Sequence, residues 1–378
     1  MPTVDFMFFD AGGGHRAAAT ALKLAIERQN LPWTVRMVHL QDILDQIDVF
    51  KKILRIDLQE IYNQMLKRGW TLGSTTGLRF MQQVIRMLHP SQVKLLAEHW
   101  RRQPADMVVS LVPNFNRAMY EGFARACPGR PYVTVLTDIA DYPPRFWMEP
   151  QQQWVVCGSA KAAGQAAAMG YPAERVSRVS GMILHPRFYD LPEVDRAARR
   201  RELGLDPDTP TAVVLFGGFG SKAMLGILKR LDASGLNMQA ILIAGRNDRL
   251  RERLEAMPTR MKKHVVGFTN EVPSYMLTSD FFIGKPGPGS LSEAIHLGLP
   301  AITVSNSWTL PQERYNAEWL TENGLGMVLD SFDGIDVAVS RMLAGTSLAD
   351  MRARAATFDN RAVWEIPGIL QQILDLAR

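Results

Sequence analysis

Two cysteines among 378 residues, Cys127 and Cys157, leave no room for a disulfide framework or for metal-ligand spacing, and suit a reducing compartment. No run approaches the roughly 18–20 apolar residues that a spanning helix needs. Met1-Pro2-Thr3-Val4-Asp5-Phe6 enters a strand pattern directly, without the basic, apolar and small-residue order of a secretory leader. The expectation is a cytoplasmic chain, soluble or peripheral on a membrane. Repeats and low-complexity segments are also missing. Charge is scarce in sum, +5, but unevenly placed. Residues 50–103 carry ten Lys or Arg against Asp57, Glu60 and Glu98, so this segment exceeds the whole excess. Such a surface prefers an anionic partner. No nucleic-acid-binding motif accompanies it, whereas Trp70 and amphipathic helical spacing among the basic residues favour an anionic membrane surface over nucleic acid.

What the chain does have is apolar content, 47% over 378 residues, enough for two cores. Short β-branched and apolar runs alternate with helical patterns, the signature of parallel α/β units. A Gly- and Pro-bounded segment, Gly181 to Phe188, reads as the domain boundary.

Three strands run into glycine turns that open helices: Val4–Phe9 into Gly12-Gly13-Gly14-His15, Thr211–Phe216 into Gly217-Gly218-Phe219-Gly220-Ser221, and Phe281–Ile283 into Lys285-Pro286-Gly287-Pro288-Gly289-Ser290. Strand, glycine turn and helix together aim free backbone N–H groups and a helix dipole at a phosphate. Glu293, one turn into the third helix, is placed to accept from a ribose diol. Gly12-x-Gly14-x-x-Ala17 fits the dinucleotide fingerprint in form. However, the second strand runs into His39 and Gln41 instead of an acid, which disfavours NAD. The loop from Ile139 to Pro150, with Tyr142, Arg145, Phe146 and Trp147, has the composition of a pocket rim.

Assembled, the pieces resemble the GT-B glycosyltransferases that act on membrane lipids, especially monogalactosyldiacylglycerol synthases and processive diacylglycerol glycosyltransferases. The matching stretches are Asp10–Arg16, Thr137-Asp138, Gly181–Phe188, Lys285–Pro300 and Gln312–Gly326. The resemblance implies two Rossmann-like domains facing a central cleft, residues 1–183 joined by a returning helix at 362–378, and residues 184–361. It implies a UDP-sugar as co-substrate, no other cofactor and no metal, and a diacylglycerol-type acceptor receiving galactose or glucose with inversion. By the family's pattern Gly218, Gly220, Ser221, Pro286, Gly287, Gly289 and Ser290 approach the diphosphate. Phe268 lies by the base, Glu293 by the ribose, and Gln312, Glu313 and Asn316 by the hexose. His15 becomes the general base, its pKa lowered by the helix N-terminus, with Asp138 orienting it or sharing the role, and Gly13, Gly14 and Trp147 on the acceptor side.

This chain departs from the pattern in three places, one being Phe9 and Ala11 before the first glycine loop, where small polar residues are common. Tyr142-Pro143-Pro144-Arg145-Phe146-Trp147 lacks the family's His, and Leu310-Pro311-Gln312-Glu313-Arg314-Tyr315-Asn316 lacks two glycines. A UDP-N-acetylglucosamine 2-epimerase, or a nucleotide-sugar-binding module without catalysis, are the alternative readings.

Overall fold

A computed structural model describes residues 1–10, 14–45, 87–191 and 193–377. The chain divides into two compact units. The first comprises Met1–Pro186, Leu310–Gln312 and Asn360–Arg378; the second comprises Arg187–Thr309 and Glu313–Asp359.

In the first unit, β1 (Thr3–Phe8), β2 (Thr34–His39), β3 (Met107–Ser110), β4 (Tyr132–Val135), β5 (Trp154–Cys157) and β6 (Val176–Arg178) form one parallel sheet in the order β2-β1-β3-β4-β5-β6. The helix Gly14–Arg28 buries Ala18, Ala19, Leu22, Ala25 and Ile26, an i, i+3, i+4 stripe that explains its alanine-rich composition. The helix His89–Arg102 buries Val93, Leu96, Ala97 and Trp100 and turns Lys94, Arg101 and Arg102 outward. It is the described part of the basic segment; the rest, including Trp70, lies outside the described residues. The final helix, Ala362–Leu376, runs through Pro367 and returns to this unit, where Gln29 Nε2 donates to the Trp364 carbonyl and Trp33 Nε1 to Gln371 Oε1, each at 2.9 Å.

In the second unit, β7 (Thr211–Leu215), β8 (Gln239–Ile243), β9 (Lys263–Val266), β10 (Phe281–Gly284), β11 (Ala301–Val304) and β12 (Gly326–Leu329) are also all parallel, in the order β12-β11-β10-β7-β8-β9. Every residue of β7, β8 and β10 is buried, as strands covered on both faces require. Connectivity reverses between neighbours β7 and β10, whose register pairs Phe281 with Ala212 and Gly284 with Leu215. A switch point of this kind leaves a crevice beyond the carboxyl ends of the strands, where open α/β sheets bind ligands. In the first sheet the reversal lies between β1 and β3.

Among the described residues no helix is long and apolar enough to cross a membrane.

Candidate functional site

Because β10 lies beside β7 and β7 beside β8, the loops after these three strands emerge side by side at one edge. The loops after β7 and β8 touch backbone to backbone. Arg246 N donates to the Gly218 carbonyl at 2.8 Å, and a Cβ on Gly245 would sit 2.4 Å from that oxygen. Gly245 and Gly220 adopt φ of +64° and +61°, which only glycine holds without strain. Ser221 Oγ accepts from Ala223 N at 3.2 Å and starts the helix Ala223–Ser234.

Past β10, Gly287 leads into the helix Pro288–His296 with Pro288 in its first turn, where a missing N–H costs nothing. Lys285 turns back across this loop. Its Nζ lies 2.8 Å from Glu313 Oε1, and its Cε lies 3.3 Å from where a Gly287 Cβ would stand and 3.9 Å from that of Gly217. One ammonium therefore spans both glycine loops. In the sequence Lys285 reads only as part of the turn; a lysine immediately before Pro-Gly-Pro-Gly at a strand end is the available signal.

Glu293 is half-buried, and desolvation raises its pKa to about 7 against the opposing pull of Arg187. Phe268 is exposed just beyond β9, with the Arg246 guanidinium 4.3 Å from its ring centroid. The expected hexose group Gln312, Glu313 and Asn316 is not one surface. Glu313 is 8% exposed and paired with Lys285, whereas Asn316 is completely buried and its Nδ2 donates to the Pro286 carbonyl at 2.7 Å. Asn316 thus braces the loop after β10 from beneath, a correction to its reading as a sugar contact. Gln312 groups with the first unit.

The first unit carries its own cluster at the carboxyl ends of β1, β3 and β4. Gly13 lies outside the described residues; Gly14 is exposed at the start of its helix. His15 Nδ1 is 3.2 Å from Thr137 Oγ1, and the ring packs 5.8 Å from that of Trp147. Desolvation lowers the His15 pKa to about 4, opposed by a hydrogen bond to the Leu111 backbone. Burial, more than the helix N-terminus invoked from the sequence, is the dominant cause. Asp138 accepts the Trp147 indole N–H at 2.8 Å.

Trp147 itself is wholly buried with Phe146 and Met148, whereas Pro144 and Arg145 are exposed, so within the loop read as a pocket rim the Trp147 ring belongs to the interior. The reason is Asp141, which the sequence reading passed over. Its carboxylate accepts from Arg145 N at 3.0 Å and Trp147 N at 2.7 Å, and so turns the segment inward. Buried Asn116 donates from Nδ2 to the Trp147 carbonyl at 2.9 Å, completing the hold on that residue.

With this geometry in view, the likenesses to known proteins are specific. Residues 212–354 match the glycosyltransferase family 28 C-terminal domain. Monogalactosyldiacylglycerol synthase 1 of Arabidopsis thaliana is 26% identical over 345 residues, covering 84% of this chain and 60% of the relative. This chain thus spans less than two thirds of that relative's length. Among solved structures, S. aureus MnaA with UDP aligns at a TM-score of 0.64 and 13% identity, over 100% of this chain and 98% of the other. MurG of Acinetobacter baumannii aligns at 0.62 and 13%, over 98% and 100%. These likenesses establish the GT-B fold, as the sequence led us to expect.

Proposed function

We propose that this chain, a GT-B protein similar to the monogalactosyldiacylglycerol synthases and carrying a glycosyltransferase family 28 C-terminal domain, transfers a hexose from a UDP-sugar to diacylglycerol or a similar membrane lipid. The observation that carries the donor half is the meeting of two glycine loops and the Lys285–Glu313 pair at the β7/β10 switch point. Backbone N–H groups and the dipole of the helix Pro288–His296 suit a diphosphate there, and Glu293 suits the ribose hydroxyls.

The chemistry is a direct displacement. A lipid hydroxyl oxygen bonds to the anomeric carbon from the face opposite the diphosphate, the bond from that carbon to the diphosphate oxygen breaks, and its electron pair leaves with UDP. The hydroxyl proton passes to His15, whose desolvated imidazole is neutral and able to accept it at physiological pH. The lipid acceptor class is supported by likeness to the synthases and by the basic composition of residues 50–103, which suits attachment to an anionic cytoplasmic membrane face.

The test is to incubate the protein with a panel of UDP-sugars and anionic diacylglycerol vesicles and identify products by mass. A hexosyl-diacylglycerol made only when vesicles are present supports the reading. Conversion of the UDP-sugar to an epimer without lipid, or donor binding with no product, would overturn it.

A further inference from the structure

We propose that Lys285 is the cation that receives the donor's diphosphate, and that its transfer from Glu313 to the phosphates releases the Glu313 carboxylate to the hexose hydroxyls. The inference rests on the UDP-sugar reading above and assigns two linked roles within that site.

Three observations support it. Lys285 leaves the end of β10 and crosses both glycine loops, with Cε 3.3 Å and 3.9 Å from the positions of Cβ atoms that Gly287 and Gly217 lack. Any side chain at these glycines would compete for this volume, so the floor of the crevice is open to an ammonium and to the phosphates it would meet. Second, the pair is lopsided: the Lys285 side chain is 41% exposed and that of Glu313 is 11% exposed. The ammonium can reach an incoming anion without leaving water behind, while the carboxylate stays put. Third, a Gly287 Cβ would lie 3.6 Å from both Glu313 Oε1 and Ser290 Oγ, so the same few ångströms hold the cation, its counter-ion and the first hydroxyl of the phosphate helix.

A diphosphate entering there offers more negative charge than one carboxylate and draws the ammonium across. The carboxylate then needs new donors, and a hexose supplies hydroxyls. During displacement the charge that builds on the leaving phosphate oxygen falls on the same ammonium.

Calorimetric titration of UDP and of uridine into the intact protein tests this in wild type, Lys285→Met, Lys285→Arg and Glu313→Gln. Lys285→Met should weaken UDP by about tenfold to a hundredfold, the range for a lost charged hydrogen bond, and leave uridine within about twofold. Lys285→Arg should recover most of the loss. Glu313→Gln should bind UDP a few-fold tighter, because the ammonium no longer has to leave a carboxylate, while hexose transfer falls. An unchanged UDP-to-uridine ratio in Lys285→Met, or UDP binding that is not tightened in Glu313→Gln, overturns the proposal. Wild-type protein that binds neither compound overturns the donor reading itself, so the two failures are distinct. Melting curves without ligand establish that each variant is folded.

Discussion

The indole N–H of Trp147 donates to Asp138 Oδ2 at 2.8 Å. Asp138 is 7% exposed and Trp147 wholly buried, so this bond lies in the interior beside the candidate base His15. Trp147→Phe keeps an aromatic ring but removes the donor. A buried acceptor that loses a partner costs about 1–3 kcal/mol, whereas Trp147→Ala, which also opens a cavity, costs about 3–5 kcal/mol. Urea unfolding should therefore rank wild type, Trp147→Phe and Trp147→Ala in that order. Equal stability of wild type and Trp147→Phe would show that the bond contributes nothing.

His15 should set an unusually acidic limb of the pH–rate profile. With its pKa near 4, the imidazole is neutral throughout the physiological range, and kcat at saturating donor should fall only as pH approaches that value, not near 6.5. Stability follows the same linkage. Between pH 6.5 and 4 the unfolded chain binds the proton and the folded chain does not. The His15 contribution is thus complete above 6.5, declines as pH falls, and levels off below 4. His15→Gln should flatten the dependence of urea midpoint on pH in that window and abolish transfer. A kcat profile with its acid limb at 6.5 would argue against a base with a depressed pKa.

How much of this was readable from the chain depends on where the physical signal sits. The strands were legible because buried parallel strands are continuous apolar runs: Trp154–Cys157 is read to the residue, and Phe281–Ile283 lengthens only by Gly284. The glycine loops were legible because glycine is the local solution to a tight turn at a strand end. Two things were not. The helices Ile335–Leu343 and Ser347–Ala355 went unread, the latter because only Ala355 is buried in it and its apolar stripe is faint. The inward turn of 146–148 depends on Asp141 gathering backbone N–H groups, and Asn316 reaches Pro286 across 30 residues. A side chain bonded to distant backbone has no period and no motif. Composition therefore suggests a pocket rim for the loop holding Trp147, and the family's pattern puts Asn316 on a sugar.

Glu293 should make donor affinity depend on pH near neutrality. Its carboxyl has a pKa of about 7 in the folded protein against an ordinary value of 4.5. If the carboxylate accepts from the ribose hydroxyls, UDP binding favours its ionised form. Affinity should then rise between pH 6 and 7.5 and level off above that range. The stability sign is opposite to that of His15: the folded chain holds the proton more tightly, so this contribution is complete below 4.5 and is lost as pH rises through 7. Glu293→Gln should remove the pH dependence of UDP binding and raise stability at pH 8 relative to wild type. Titrations at a series of pH values that show no slope in wild type would exclude Glu293 from the ribose site.

Two glycines of the donor edge should separate folding from binding. Gly245 has φ of +64°, and an added Cβ would meet the Gly218 carbonyl oxygen at 2.4 Å, backbone against backbone, where neither side can give way. Gly245→Ala should cost on the order of 1–3 kcal/mol and loosen the contact that positions the loop after β7. Gly218 is different: no atom lies within 4 Å of its added Cβ. Gly218→Ala should therefore melt like wild type. If the phosphates approach Gly218 closely, the methyl group fills their space and UDP affinity drops at least about tenfold, the equivalent of roughly 1.4 kcal/mol. Melting curves paired with UDP titrations distinguish the two effects. Normal UDP binding by Gly218→Ala would move the diphosphate away from this loop and onto the Lys285 side of the crevice.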